Sequence, residues 1–238
     1  MWTYPPRKIL VPVDFGEASA RALRIAGAIA DAHAASVAVL HAEALEAPPY
    51  FTKTQVQALE RQRAAARREA ERFLAAFVER NLHAAATHTI VEGSPASSIV
   101  QAARQIDLVI MGTHGRRGPA RWWAGSVAER VVRDVAVPVL VTRAERSAAV
   151  AGIFKRITVV APGGSFDESA RRYARGLAAA FGGEAATDSL QSFDQAAVES
   201  ATLLVLAKPP TSHGPAFMPE ANQFLRACRR PILFVPTV

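Results

Sequence analysis

Residues 107–134 read DLVIMGTHGRRGPARWWAGSVAERVVRD, and this stretch decides the fold. It opens on 107-DLVIMG-112, an apolar run of strand length, and closes on 125-GSVAERVVRD-134, a helical pattern. Between them, Gly112, Gly115 and Gly125 give a backbone that can approach a ligand closely and adopt positive φ. Gly125-Ser126 then starts the helix, whose free N–H groups and dipole favour an anion, and the Ser126 hydroxyl adds a donor. Amides in such a loop can also form an anion nest. A phosphate-bearing ligand is the natural occupant.

Working outward, strands and helices alternate on both sides of this unit. Upstream lies 7-RKILVPV-13, an apolar run ended by Asp14, then a helix over 17–33 with Ala18, Ala22, Ile25, Ala26 and Ile29 at helical spacing. A strand at 36-SVAVLHA-42 follows, and after Pro48-Pro49 a long helix over roughly 53–81. Val56, Leu59, Phe73, Leu74, Phe77 and Val78 supply its expected buried stripe. Then come a strand at 86-ATHTIVEG-93 and a helix capped near Ser94-Pro95, where serine would accept orphan N–H groups and proline presets the first turn. Downstream, 138-PVLVTR-143 is the fifth strand. Such alternation implies right-handed crossovers and a parallel α/β sheet covered on both faces. In an open sheet of this kind ligands sit beyond the carboxyl ends of the strands, at the switch point. Pro12-Val13-Asp14 and the 112–126 loop both fall there.

The spacing Gly-x2-Gly-x9-Gly-Ser, filled by Gly112, Gly115, Gly125 and Ser126, resembles the nucleotide-binding signature of the universal stress protein family. The matching stretches ILVPVDFGEASARAL, VLHA, VEGSPASSIVQAA, DLVIMGTHGRRG and GSVAERVVRDVAVPVLV span about 145 residues in order. The resemblance implies a five-stranded parallel sheet in order 3-2-1-4-5 and an ATP ligand. By the same resemblance Pro12, Val13 and Asp14 lie near adenine and ribose, and Ala42 borders the adenine. Met111 and Gly112 would border the ribose, while His114, Gly115, Gly125, Ser126 and Val127 would line the phosphates. A magnesium ion between phosphate oxygens suits its habit of keeping several waters and few protein ligands.

Past 143 the pattern restarts. Residues 146–154 read as a linker, and 155-KRITVVAP-162 echoes 7-RKILVPVD-14. Next, 168-ESARRYARGLAAAFG-182 echoes 17-EASARALRIAGAIAD-31, 202-TLLVLAK-208 echoes the fourth strand, and 224-FLRACRRPILFV-235 the last helix and strand. This internal repeat points to a tandem chain: a complete universal-stress-protein-like domain over 1–145 and a truncated copy over 155–238, two open parallel-sheet sandwiches in all. Only 183–201 remain in the second copy where the first holds two strands and two helices. There Ala161-Pro162 replaces Val13-Asp14, and Lys208-Pro209-Pro210 replaces Gly112-Thr113-His114. Prolines remove the amides a phosphate cradle needs, so no nucleotide is expected in the second half. Gly163-Gly164 with Lys208 could instead take some other anion. The family resembled commonly pairs subunits along the last strand, and by that resemblance 138–143 and 231–235 could pair within the chain as a pseudo-dimer, burying an otherwise exposed sheet edge. A homodimer through other surfaces is also open.

Half of the 238 residues are hydrophobic and 21% charged, enough for a buried core. The net charge is +7, and a run of arginines lies on 61-RQRAAARREAER-72 with Glu60, Glu69 and Glu71 interspersed, which reads as a solvated helix face. No interleaving of aromatic and basic residues suggests base stacking, so no nucleic acid partner is expected. No apolar run approaches the length needed to span a bilayer, the first residues do not read as a signal peptide, and Cys228 is the sole cysteine. A cytoplasmic location and no membrane contact are the expectation.

Several residues keep two readings. Asp14 serves equally as a ligand contact or as a cap of the following turn. His41 reads as a satisfied core histidine, His114 as a loop residue, and Trp122-Trp123 as a packing or partner-contact pair. No paired carboxylate, Ser/His/Asp order or metal-ligand spacing stands out. The leading reading is therefore an ATP-dependent binding module in stress regulation, acting on an unidentified protein partner, with at most slow hydrolysis. Alternatives are an adenylyl- or phosphoryl-transferring enzyme using Asp14, His114, Arg116 and Arg117, and a ligand-free interaction protein.

Overall fold

The computed structural model describes residues 3–43, 53–113, 126–144, 149–161, 167–189, 200–208 and 230–237. The first half runs β1 (Lys8–Pro12), α1 (Glu17–His33), β2 (Ser36–Glu43), α2 (Lys53–Asn81), β3 (Ala86–Glu92), α3 (Pro95–Ala102), β4 (Leu108–Thr113), α4 (Ser126–Asp134) and β5 (Val139–Arg143). The second runs β6 (Arg156–Ala161), α5 (Asp167–Phe181), β7 (Glu184–Ser189), β8 (Leu203–Lys208) and β9 (Ile232–Pro236). Among the described residues the nine strands join one sheet in the order β3-β2-β1-β4-β5-β9-β8-β6-β7.

The first five strands are parallel and take the expected order 3-2-1-4-5. From β1 the chain steps outward to β2 and β3, then returns to β4 on the other side of β1. Right-handed crossovers therefore place α1 and α2 on one face and α3 and α4 on the other. The helix pairs α1–α2 and α3–α4 are each in contact. Ile9, Val11, Leu108, Val109 and Ile110 are all but inaccessible, as strands buried on both faces require.

Among the described residues the second half, read from its outer edge, runs β7-β6-β8-β9, matching the 2-1-4-5 part of the first order with no strand beyond β7. The two open sheets are continuous with one another. β5 and β9 pair antiparallel, with Val139 opposite Phe234, Leu140 opposite Leu233 and Val141 opposite Ile232. The expected pairing of 138–143 with 231–235 is thus present, and it removes two sheet edges at once.

Three local expectations need correction, and the short stretch 183–201 supplies a strand, since Glu184–Ser189 pairs along the whole of β6. Its sequence EAATDS lacks the apolar alternation of a half-buried strand because it lies outermost in the sheet. The segment read as a linker contains a 3-10 turn, Val150–Phe154, in which Ile153 and Phe154 are buried. The Phe154 ring stacks on Phe181 at 4.2 Å, so this connection carries core. Phe73, assigned to the buried stripe of α2, is 54% exposed, whereas Leu74, Phe77 and Val78 are buried. Ser94 does precede α3 and Pro95 does open it, but the serine side chain makes no capping bond.

A further join crosses between the halves. The Tyr4 ring lies edge-on to Tyr173 of α5 at 4.8 Å and to His33 of α1 at 5.4 Å, and its hydroxyl is hydrogen-bonded to His33 Nε2 at 3.2 Å. Gly176 makes this possible, because a Cβ there would overlap the Tyr4 ring. Burial pushes the Tyr4 hydroxyl up to about 12 and the His33 imidazole below its ordinary value.

Candidate functional site

Between β1 and β4 the chain order reverses, and the carboxyl ends of these strands frame the crevice where an open parallel sheet takes its ligand. At the end of β1, Val13 N–H still donates to Leu40 C=O at 2.9 Å, continuing the β2 ladder one residue past the strand. The chain then turns sharply. Asp14 Oδ1 accepts from Gly16 N–H at 3.1 Å and from the Ser19 hydroxyl at 2.5 Å, while Asp14 N–H donates to Ser19 Oγ at 3.1 Å. Within this turn Phe15 sits at φ 62°, a left-handed conformation that costs a non-glycine residue about 1–2 kcal/mol. Gly16 then precedes α1 in an extended conformation without a side-chain cap. Asp14 thus performs the turn-capping role left open for it, and it does so while solvent-exposed at the crevice mouth.

Phe15 recovers that conformational cost through packing. Its ring meets His41 at 4.3 Å, Phe73 at 4.8 Å and Phe77 at 5.5 Å. His41 is half-buried, with Nδ1 hydrogen-bonded to Val13 C=O at 2.8 Å, so it is the satisfied core histidine expected. Since the carbonyl can only accept, Nδ1 carries the proton. The imidazole ties the ends of β1 and β2 together beneath Phe15.

The other described residues of the anticipated site lie near the carboxyl ends of β1, β2 and β4, or at the start of α4. Ala42 is half-buried near the end of β2, and Pro12 half-buried at the end of β1. Val13 and Met111 are buried, so what they offer a ligand is main chain rather than side chain. Ser126 is exposed as the first residue of α4, with Val127 half-buried behind it. His114, Gly115 and Gly125 lie outside the described residues, as do Arg116, Arg117, Trp122, Trp123, Gly163, Gly164 and Cys228.

Gly112 is explained by packing. A Cβ there would collide with the Ala18–Ser19 backbone of α1, its nitrogen contact falling at 2.6 Å. The glycine lets β4 and the first turn of α1 approach within main-chain distance, and so holds Ser19 where Asp14 can bond it.

Sequence reasoning passed over Phe15 and Ser19 as site-forming residues. Ser19 was visible only as part of the repeated Ser-Ala-Arg; its position on the buried side of α1, five residues after Asp14, was the available signal. Lys208 was misassigned. Its ammonium, read as a candidate anion ligand, is buried and donates to Val135 C=O at 2.5 Å. Burial pushes its pKa down to about 8, with Asp134 pulling the other way. Among the described residues, no three His, Cys, Asp or Glu side chains converge as a metal site.

Residues 5–143, more than half of the chain, match the profile of the universal stress protein family. The chain belongs to the universal stress protein family. A universal stress protein of Thermus aquaticus is 32% identical over 143 residues, which cover 58% of this chain and 98% of that one. A universal stress protein of Methanocaldococcus jannaschii is 48% identical over 59 residues, and the match spans only 35% of its length. Among solved structures, a universal stress protein of Archaeoglobus fulgidus superposes with a TM-score of 0.72 at 17% identity, covering 97% of this chain and 96% of that chain. At that identity the likeness concerns the fold, and it extends through the second half of this family member. No helix among the described residues is long and apolar enough to cross a membrane.

Proposed function

We propose that this family member binds ATP in the crevice over the ends of β1 and β4, and acts as a nucleotide-dependent binding module of the cytoplasm. What supports the reading is that an exposed carboxylate follows β1 and an exposed serine opens the helix after β4, the two strands between which the sheet order reverses. Asp14 supplies an acceptor suited to ribose hydroxyls or the adenine amino group, and Ser126 with the first amides of α4 supplies donors suited to phosphate. The donor set therefore fits a nucleotide. Magnesium would ride on the phosphates with its own waters rather than in a protein cage.

The chain is further read as a tandem, with ATP confined to the first copy. The register of the strands sets Lys208 level with Thr113 rather than with Gly112 as the sequence suggested, and its side chain is bound to Val135. The Asp14 oxygen that holds the turn already accepts two bonds, which suits holding a ligand better than abstracting a proton. Efficient catalysis is accordingly not part of the proposal, and the stress response enters through a partner that senses the nucleotide-bound form.

Ser126→Asp separates site from fold. An acidic residue in the first turn favours α4 by about 0.3–1 kcal/mol through the dipole, while it repels phosphate. Isothermal titration with Mg-ATP should show affinity lost in this variant with melting temperature unchanged or raised. Unchanged affinity sinks the site assignment.

A further inference from the structure

The short helix that opens on the proposed phosphate site ends on a side chain from the other half of the molecule. α4 has nine residues and a length of about 13 Å, too short to be stable on its own. Val135 N–H closes its last turn on Val131 C=O at 3.0 Å, leaving the Val135 carbonyl to find a donor outside the helix. That donor is Lys208 Nζ, reaching across from the end of β8. Lys208 is itself held firmly. Its main chain lies opposite Pro236 of β9, and its carbonyl accepts both Thr237 N–H at 3.0 Å and the Thr237 hydroxyl at 3.2 Å.

The contact suits its place. A cation at a helix C-terminus is favoured by the dipole, and one shielded from water is favoured more. Asp134 stands beside it, ion-paired to Arg133 at 2.8 Å and to Arg130 at 3.6 Å. A lysine 3% exposed would be an expensive choice for packing alone, since removing an ammonium from water costs several kcal/mol unless partners compensate.

We infer that Lys208 is a positioning residue for the nucleotide site: by fixing the C-terminus of α4 from the second half, it sets where the amides at the helix N-terminus point. The inference rests on the nucleotide reading of the Ser126 end. It gives the second half a task in the first half's binding without a nucleotide of its own. A rigid rod fixed at one end directs the other, so loosening the Val135 end should displace the donors about 13 Å away.

The test uses the full chain with Lys208→Met, which keeps the stem and removes the ammonium, and Lys208→Arg, which keeps charge and donors. Hydrogen exchange of the α4 amides is measured without nucleotide, with Val109 and Ile110 of β4 as internal standards, and Mg-ATP affinity is measured by calorimetry. The account expects faster exchange in α4 but not in β4 for Lys208→Met, ATP affinity weaker by about fivefold, and recovery of both in Lys208→Arg. Unchanged α4 exchange with unchanged affinity overturns it, and so does weaker binding with α4 exchange unaltered. Should Lys208→Met not fold, Lys208→Gln, too short to span the contact, is read the same way. If the wild-type chain binds no ATP, the nucleotide reading fails by itself, while apo exchange of α4 still decides whether Lys208 holds the helix.

Discussion

Asp14, Ser19 and Gly112 act as one unit at the crevice mouth. Ser19 is buried and bridges the Asp14 carboxylate and main-chain amide, and Gly112 admits the α1 backbone that carries it. Ser19→Ala should cost about 1–2 kcal/mol in chemical denaturation, because it strips a partner from Asp14 without adding volume. In a double-mutant cycle with Asp14→Ala the two losses should be clearly non-additive. Gly112→Ala should lower stability by at least about 1–3 kcal/mol in the absence of any nucleotide, since the added methyl meets backbone that cannot give way. A melting curve equal to wild type would show that Gly112 answers to ligand approach rather than to α1. This is the part of the site the sequence could not separate: glycine at a strand end looks the same whether its neighbour is a phosphate or a helix.

At the scale of elements, Lys208 links pH to the junction of β8 with α4. Its folded pKa of about 8 lies below the ordinary 10.5. Below about pH 8 both folded and unfolded chains hold the proton, and the cost of burying the charge is borne in full. Between about 8 and 10.5 the folded chain releases the proton while the unfolded chain keeps it, so this group makes stability rise with pH across that window. Denaturation midpoints of wild type minus Lys208→Met, taken from pH 7 to 10.5, should climb accordingly; a flat difference contradicts the buried ammonium. The bounds of α1 and α2 were legible from apolar spacing alone, and so were the parallel strands of the first half. β7 was not, because an outermost strand of small and polar residues has no buried face to pattern it. Nor was Phe73 read correctly. Helical spacing gives a stripe, but only the turn at Phe15 reveals that the stripe's edge meets another aromatic ring near the surface.

Across the whole molecule, the β5–β9 pairing and the Tyr4 wedge join the halves on the sheet and on one of its faces. A chain cut after residue 145 would expose β5 as an unpaired edge whose first four residues are buried in the full chain. Such a fragment should dimerise or aggregate in size-exclusion chromatography with light scattering; a stable monomer would mean that β9 is dispensable to the first half. The family resemblance led to the expectation that the last strands could pair, and the structure adds that they do so antiparallel. The resemblance did not foretell that the segment between the halves would contribute Phe154 to the core, or that Lys208 would reach back to α4.

The proposed nucleotide site is single, one per chain, at the Asp14 turn and the start of α4. Calorimetric titration of the intact protein with Mg-ATP addresses it most directly. One equivalent should bind per chain, and Ser126→Asp should abolish it at undiminished thermal stability. Two equivalents, none, or one that persists in that variant would contradict the proposal.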